Sequence, residues 1–153
     1  MAILLSQTVE YALRSSLHIA RQSPRFVPVA EVADAVHAPR NYLSKILSQL
    51  SKAGFLDSTR GPSGGFRLAA GSTRKSLSVI VALLESSQPQ RCLLGYGVCG
   101  QSPQCAVHER WAPVANATTE FFAHTTIHDL LHPPEARATP PSSDAFHPRL
   151  SIS

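Results

Sequence analysis

The residues best equipped for chemistry stand in one short stretch. Cys92, Cys99 and Cys105 are the only cysteines of the chain, and His108 follows three positions after the last. Three residues scattered at random fall this close together only about one time in forty, so the clustering asks for a chemical reason. Thiolates joined by one imidazole suit zinc or an iron–sulfur cluster and suit magnesium or calcium badly, because soft donors select softer metals. The spacing Cys-x6-Cys-x5-Cys-x2-His lacks the paired Cys-x2-Cys of zinc ribbons and fingers. Gly95, Gly97 and Gly100 let the loop wrap closely, so that backbone N–H groups can point at sulfur and tune its potential. Inert packed cysteines are a poor alternative, since glycine-rich loops do not build apolar cores. His108 reads as a ligand and, nearly as well, as a core or supporting histidine. A thiol redox switch, or a zinc site without iron, is the other use of the same residues. A Cys105/His108 nucleophile–base pair would need an oxyanion motif and a substrate cleft, and the sequence shows neither; an enzyme is not expected.

A helix must hold one end of this loop. Ser102-Pro103 is a good helix start, with serine as N-cap and proline at the first helical position. That start predicts a helix over about 103–124, with Cys105 near its third position, where the dipole and free amides favour a thiolate. His108 then shares the face of Cys105. Val107, Trp111, Val114, Thr118, Phe121 and Phe122 run along one side, and Pro113 predicts a kink or a broken first segment. So long an aromatic stripe exceeds what a small domain can cover, and a second copy of the chain would cover it. Thr125–Leu131 reads as a last short helix. From His132 onward Pro133-Pro134, Pro140-Pro141 and Ser142-Ser143 predict a disordered tail over 132–153.

Upstream, Leu5, Val9, Leu13 and Leu17 form a helical stripe over about 6–21, ended by Ser23-Pro24. Val29–Val36 is a short helix, His37-Ala38-Pro39 interrupts it, and a third helix runs over about 40–52 with Gly54 as its C-cap glycine. Two short helices around a tight break form a helix-turn-helix. Phe55–Thr59 and Phe66–Ala69 read as strands around the turn Arg60-Gly61-Pro62-Ser63-Gly64-Gly65, which makes a wing. Leu77, Ile80, Val81 and Leu84 mark a helix over about 76–85. The expected fold is mainly α with a small β-hairpin wing: a winged helix-turn-helix plus a long C-terminal dimerisation helix. Residues 1–131 would form the DNA-binding domain, with the cysteine loop at about 92–108. The bland alternative for 28–69 is a helical hairpin plus a β-hairpin with no ligand.

The DNA-reading candidates are Arg40, Asn41, Tyr42, Ser44 and Lys45 at the start of the third helix, with Arg67 on the wing and Arg60, Gly61, Pro62 and Ser63 at its tip. Arg and Asn offer paired hydrogen bonds to guanine and adenine, and an arginine at a small-residue tip fits a minor groove. Lys52, Arg74 and Lys75 read as plain surface charges. The charge distribution agrees. Residues 1–75 carry ten Lys and Arg against four Asp and Glu, and 76–153 carry four against six. A basic half attached to a mildly acidic remainder favours a polyanion on one side only. At 153 residues and 43% hydrophobic the chain can bury one core. The longest apolar run falls far short of a membrane span, and Met1–Gln7 lacks a basic region followed by a long apolar one. A cytoplasmic location is therefore expected, where thiols stay reduced.

Three segments together resemble the IscR/NsrR family, the bacterial winged-helix regulators also called the Rrf-two family. They are Gln7-Thr8-Val9-Glu10-Tyr11-Ala12-Leu13-Arg14, the wing Arg60–Leu68, and Cys105-Ala106-Val107-His108-Glu109-Arg110-Trp111. The resemblance spans roughly 3–131. It implies a homodimer paired through the long helix, a palindromic operator, and an iron–sulfur cluster on Cys92, Cys99 and Cys105. In the IscR branch the fourth ligand is a histidine matching His108, and the cluster has two irons. In NsrR-like relatives it is a carboxylate from the partner's first helix, a place that Glu10 occupies here. Both candidates are present, so two-iron and four-iron clusters both stay open; the acidic residue before Tyr11 and the six-residue gap between the first two cysteines favour Glu10. The resemblance implies a regulator, a repressor, responding to nitric oxide, redox state or iron supply.

Overall fold

In the computed structural model the described residues are 5–85, 93–94 and 106–133. Cys92, Cys99, Cys105, the three loop glycines, the Ser102-Pro103 start and all of the tail beyond Pro133 lie outside them.

Helix α1 (Gln7–Arg21) begins at Ser6, whose hydroxyl accepts from the Val9 N–H at 3.4 Å. It buries Val9, Ala12, Ser15, Ser16, Ile19 and Ala20, one stripe at helical spacing. Helix α2 (Val29–Val36) is tied back to α1 at its first turn. Glu31 pairs with Arg25 at 2.6 Å and lies 3.8 Å from His18, and the Arg25 hydrogen bond holds its carboxyl below the usual range. His37 ends α2 by adopting a left-handed conformation, φ 54°, with the Ala38 N–H on the Ala33 carbonyl at 3.0 Å. This single αL residue makes the tight break of the helix-turn-helix.

Helix α3 (Arg40–Lys52) buries Leu43, Ile46, Leu47 and Leu50. Its end is a Schellman motif on Gly54, φ 72°. Phe55 N–H reaches the Leu50 carbonyl at 2.9 Å, and Gly54 N–H reaches that of Ser51 at 3.0 Å. The glycine turns the chain so that Phe55 drops into the core, fully buried. Strands β1 (Leu56–Thr59) and β2 (Gly65–Leu68) then pair antiparallel, Leu56 opposite Leu68 and Thr59 opposite Gly65.

A third backbone segment extends this ribbon. Val27 exchanges both hydrogen bonds with Phe66, at 2.8 and 2.9 Å, which seats the wing on the start of α2. Gly65 permits the approach: a Cβ there would stand 2.3 Å from the Val27 carbonyl oxygen. Both partners are backbone and cannot yield cheaply. Gly65→Ala is therefore expected to cost about 2–3 kcal/mol of stability in urea titration, with loss of the Val27–Phe66 bridge; an unchanged midpoint would mean that the ribbon is looser than described.

After a short 3-10 turn (Ser72–Arg74), helix α4 (Ser78–Leu84) buries Ile80. Helix α5 (His108–His124) follows a turn at Ala106 and Val107, and the start expected at Ser102-Pro103 lies outside the described residues. Pro113 falls in the second turn, where it removes the bond that a backbone N–H there would make to the Glu109 carbonyl. Helix α6 (Ile127–Leu131) carries a capping box: Thr126 accepts from the Asp129 N–H, and Asp129 accepts from the Thr126 N–H. The Thr126 hydroxyl and N–H hold the Asp129 carboxyl below its ordinary range. Ile127 is fully buried, and Leu77 N–H bonds the Thr125 carbonyl at 2.8 Å, so the end of α5 is anchored to the domain. The rest of α5 is more open. Ala115 is its one buried residue, while Val114 and Phe121 are 49% and 52% exposed.

Candidate nucleic-acid interface and cysteine loop

The start of α3 presents Arg40, Asn41 and Lys45 to solvent, with Ser44 half-buried between them. Arg40 stands 3.5 Å from Asp34 in an exposed pair, worth little in water and readily exchanged for a phosphate or a base edge. Tyr42 differs. Its hydroxyl is hydrogen-bonded to Thr8 Oγ1 on α1, and its ring stands edge-on to Tyr11.

At the wing tip Arg60, Gly61, Pro62 and Ser63 are all exposed, with Gly61 at φ 105° shaping the turn. Arg60 makes no ion pair among the described residues. Arg67 is tethered. Its Nε donates to Asp57 at 3.3 Å across the ribbon, and its guanidinium lies 4.5 Å from the centre of the Phe26 ring. It braces the wing at its base, with the remaining guanidinium donors available.

A cleft of about 420 Å³ opens between the start of α2, the second half of α3 and the wing. Val29, Ser48, Ser51, Lys52, Ser58 and Arg60 are among its lining residues. Two cations, several hydroxyls and the uncapped first turn of α2 are the donors that a backbone phosphate takes. Lys52 reads in the sequence as an ordinary surface lysine; only the fold places it on one cleft with Arg60. The hydroxyls carry no sequence signal of their own.

Of the candidate cluster ligands, Glu10 lies on the exposed side of α1, its side chain half-exposed and 3.6 Å from Arg14. His108 is the first residue of α5, half-buried, one turn before Trp111. The two candidates thus come from different helices. Between Cys92 and Cys99, Leu93 and Leu94 form an exposed turn. The three cysteines themselves lie outside the described residues.

A helix-turn-helix followed by a two-stranded wing, with cations on both, defines a winged-helix DNA-binding protein. The chain belongs to the Rrf2 family of iron-dependent transcriptional regulators, whose family model matches residues 5–133. An HTH-type transcriptional regulator of Aquifex aeolicus is 34% identical over 143 residues, covering 92% of this chain and 99% of that one. IscR of Vibrio vulnificus is 30% identical over 128 residues, 83% of this chain and 76% of its own. Among solved structures, CymR, the global cysteine regulator of B. subtilis, superposes with a TM-score of 0.67 at 24% identity, over 83% of this chain and 95% of that one. IscR of T. potens gives 0.63 at 22%, over 84% and 85%. These relatives are transcriptional regulators, and this chain is one too, with the winged-helix fold. Among the described residues no helix is long and apolar enough to cross a membrane.

Proposed function

We propose that the chain is a homodimeric repressor whose operator affinity is set by an iron–sulfur cluster on Cys92, Cys99 and Cys105. The observation that carries this is the donor set. Three cysteines crowd the stretch leading into α5, and a half-exposed carboxylate, Glu10, has an exposed contact to Arg14 as its one ion pair among the described residues. Soft donors plus one weaker oxygen fit an iron–sulfur group, and an exposed Glu10 can be offered to the loop of another subunit. His108 is the alternative fourth ligand and fits the same group from within one chain. Such a group would supply a site of reaction with nitric oxide or oxygen.

The protein supplies the rest. Residues 1–131 act as the DNA-binding unit and 132–153 as a tail. Helix α5, with Val114 and Phe121 uncovered, pairs with its copy in a second subunit. Two winged helices then face half-sites of a palindrome about 34 Å apart. In each, Arg40, Asn41, Ser44 and Lys45 meet base edges in the major groove, while Arg60, Gly61, Pro62 and Ser63 follow the minor groove. The cleft with Lys52 and Ser48 seats a backbone phosphate. Glu10 lies on α1, which packs against α2, α3, β2, α4 and α6. A change at Glu10 therefore acts on the helix that orients both DNA-reading parts, and cluster and operator must couple reciprocally.

Anaerobic purification followed by a visible spectrum and counts of iron and acid-labile sulfide tests the proposal. Brown protein with both elements supports it. Zinc in their place, or reversible disulfides, would assign the cysteines to a zinc site or a thiol switch.

A further inference from the structure

Tyr42 sits among the DNA readers of α3, yet its polar end is committed elsewhere. The hydroxyl is bonded to Thr8 Oγ1, and the ring meets Tyr11 edge-on, 6.1 Å between centroids at 74°. Gln7 Nε2 in turn donates to the Tyr11 hydroxyl at 3.3 Å. The first turn and a half of α1 is thereby linked to the start of the recognition helix through one side chain. Tyr42 is 40% exposed, and its hydroxyl is held toward α1 by the Thr8 bond.

Glu10 lies between the two anchors, two residues after Thr8 and one before Tyr11. A hydrogen-bonded helical turn moves as a unit, so a displacement at Glu10 is shared by Thr8 and Tyr11. The opposite side of α1 is built mostly of small residues, Ala12, Ser15, Ser16 and Ala20, and the Ser15 and Ser16 hydroxyls are buried with no hydrogen-bond partner among the described residues. Small side chains form shallow ridges, which lock a helix against sliding less firmly than interdigitated large ones.

We propose that Tyr42 is a positioning residue. Its bond to Thr8 sets the pitch of α3 from α1, so that whatever engages Glu10 is felt by Arg40, Asn41 and Lys45. The part that concerns Glu10 rests on the function proposed above; the Thr8–Tyr42 link does not.

The test is a double-mutant cycle in DNA binding with the full chain, prepared without oxygen. The probe is a duplex selected by the wild-type protein from a random pool, held at about 150 mM salt because affinity is salt-dependent. Tyr42→Phe keeps the ring and Thr8→Val keeps the shape, and both should melt with the wild type. Each single variant is expected to bind about fivefold to tenfold more weakly, and the double variant no more weakly than either, because both remove one bond. The base preference of both variants should match that of the wild type. In both, the affinity difference between iron-loaded and chelator-stripped protein should shrink. Thr8→Val binding like the wild type, losses that multiply, or a Tyr42→Phe preference relaxed at one base pair would each overturn the proposal. The last outcome would make Tyr42 a base reader. Protein lacking iron and sulfide would overturn the coupling to Glu10, while the cycle on that same protein would still decide the Thr8–Tyr42 link.

Discussion

Cys99→Ala protein is expected to purify colourless from anaerobic cells, with iron and sulfide lost, and with operator affinity fixed at the value of stripped wild type. One thiolate fewer leaves two sulfurs and one weak ligand, too few strong donors to retain a cluster against competing thiols and chelators. The wing and core lie elsewhere in the chain, so folding should persist and the circular dichroism should match the wild type. The lost quantity is the coupling. Allosteric links of this kind are worth about 5–150-fold in affinity, and in Cys99→Ala nitric oxide or oxidant should change binding not at all. A variant that keeps its colour and its response would remove Cys99 from the ligand set.

Arg60→Ala should produce the largest loss of DNA affinity with the spectrum untouched. Arg60 stands exposed on a glycine-bearing tip and makes no ion pair among the described residues, so its removal unsettles nothing inside the protein. An arginine in a narrow minor groove is worth about tenfold, and the two wings of the proposed dimer would give about a hundredfold. Arg67→Ala should behave otherwise. It removes the Asp57 and Phe26 contacts and so loosens the wing before it touches DNA. Unchanged affinity in Arg60→Ala, measured by anisotropy on the selected duplex, would mean that the wing tip does not enter a groove.

The elements of the DNA-binding half were legible because each leaves a periodic or punctuating trace. Leu43, Ile46, Leu47 and Leu50 mark one face of α3, and Gly54 stops it in the expected left-handed turn. Other features leave no such trace. Nothing in the letters of His37 shows that it would take the αL position, since a histidine there is permitted without being demanded. Gly65 reads as one more residue of a flexible tip, yet its smallness is used inward, against Val27. Lys52 and Arg60 are separated in sequence by a helix end and a strand, so their common cleft exists only in three dimensions. Tyr42 is grouped with the base readers by its position on α3, whereas its length lets it reach across to Thr8. At the start of α5 the described residues show a turn at Ala106-Val107 and a helix from His108, while Ser102-Pro103 lies outside them. For the cysteine loop, residue types reveal the chemistry of the donors and not their geometry.

Operator affinity of one anaerobic preparation, measured before and after chelation strips its iron, addresses the central claim most directly. A change of about tenfold or more, restored on reconstitution with iron and sulfide, is the predicted result. Identical affinity in the loaded and stripped states would contradict it, leaving a winged-helix DNA binder whose cysteines do not govern its hold on the operator.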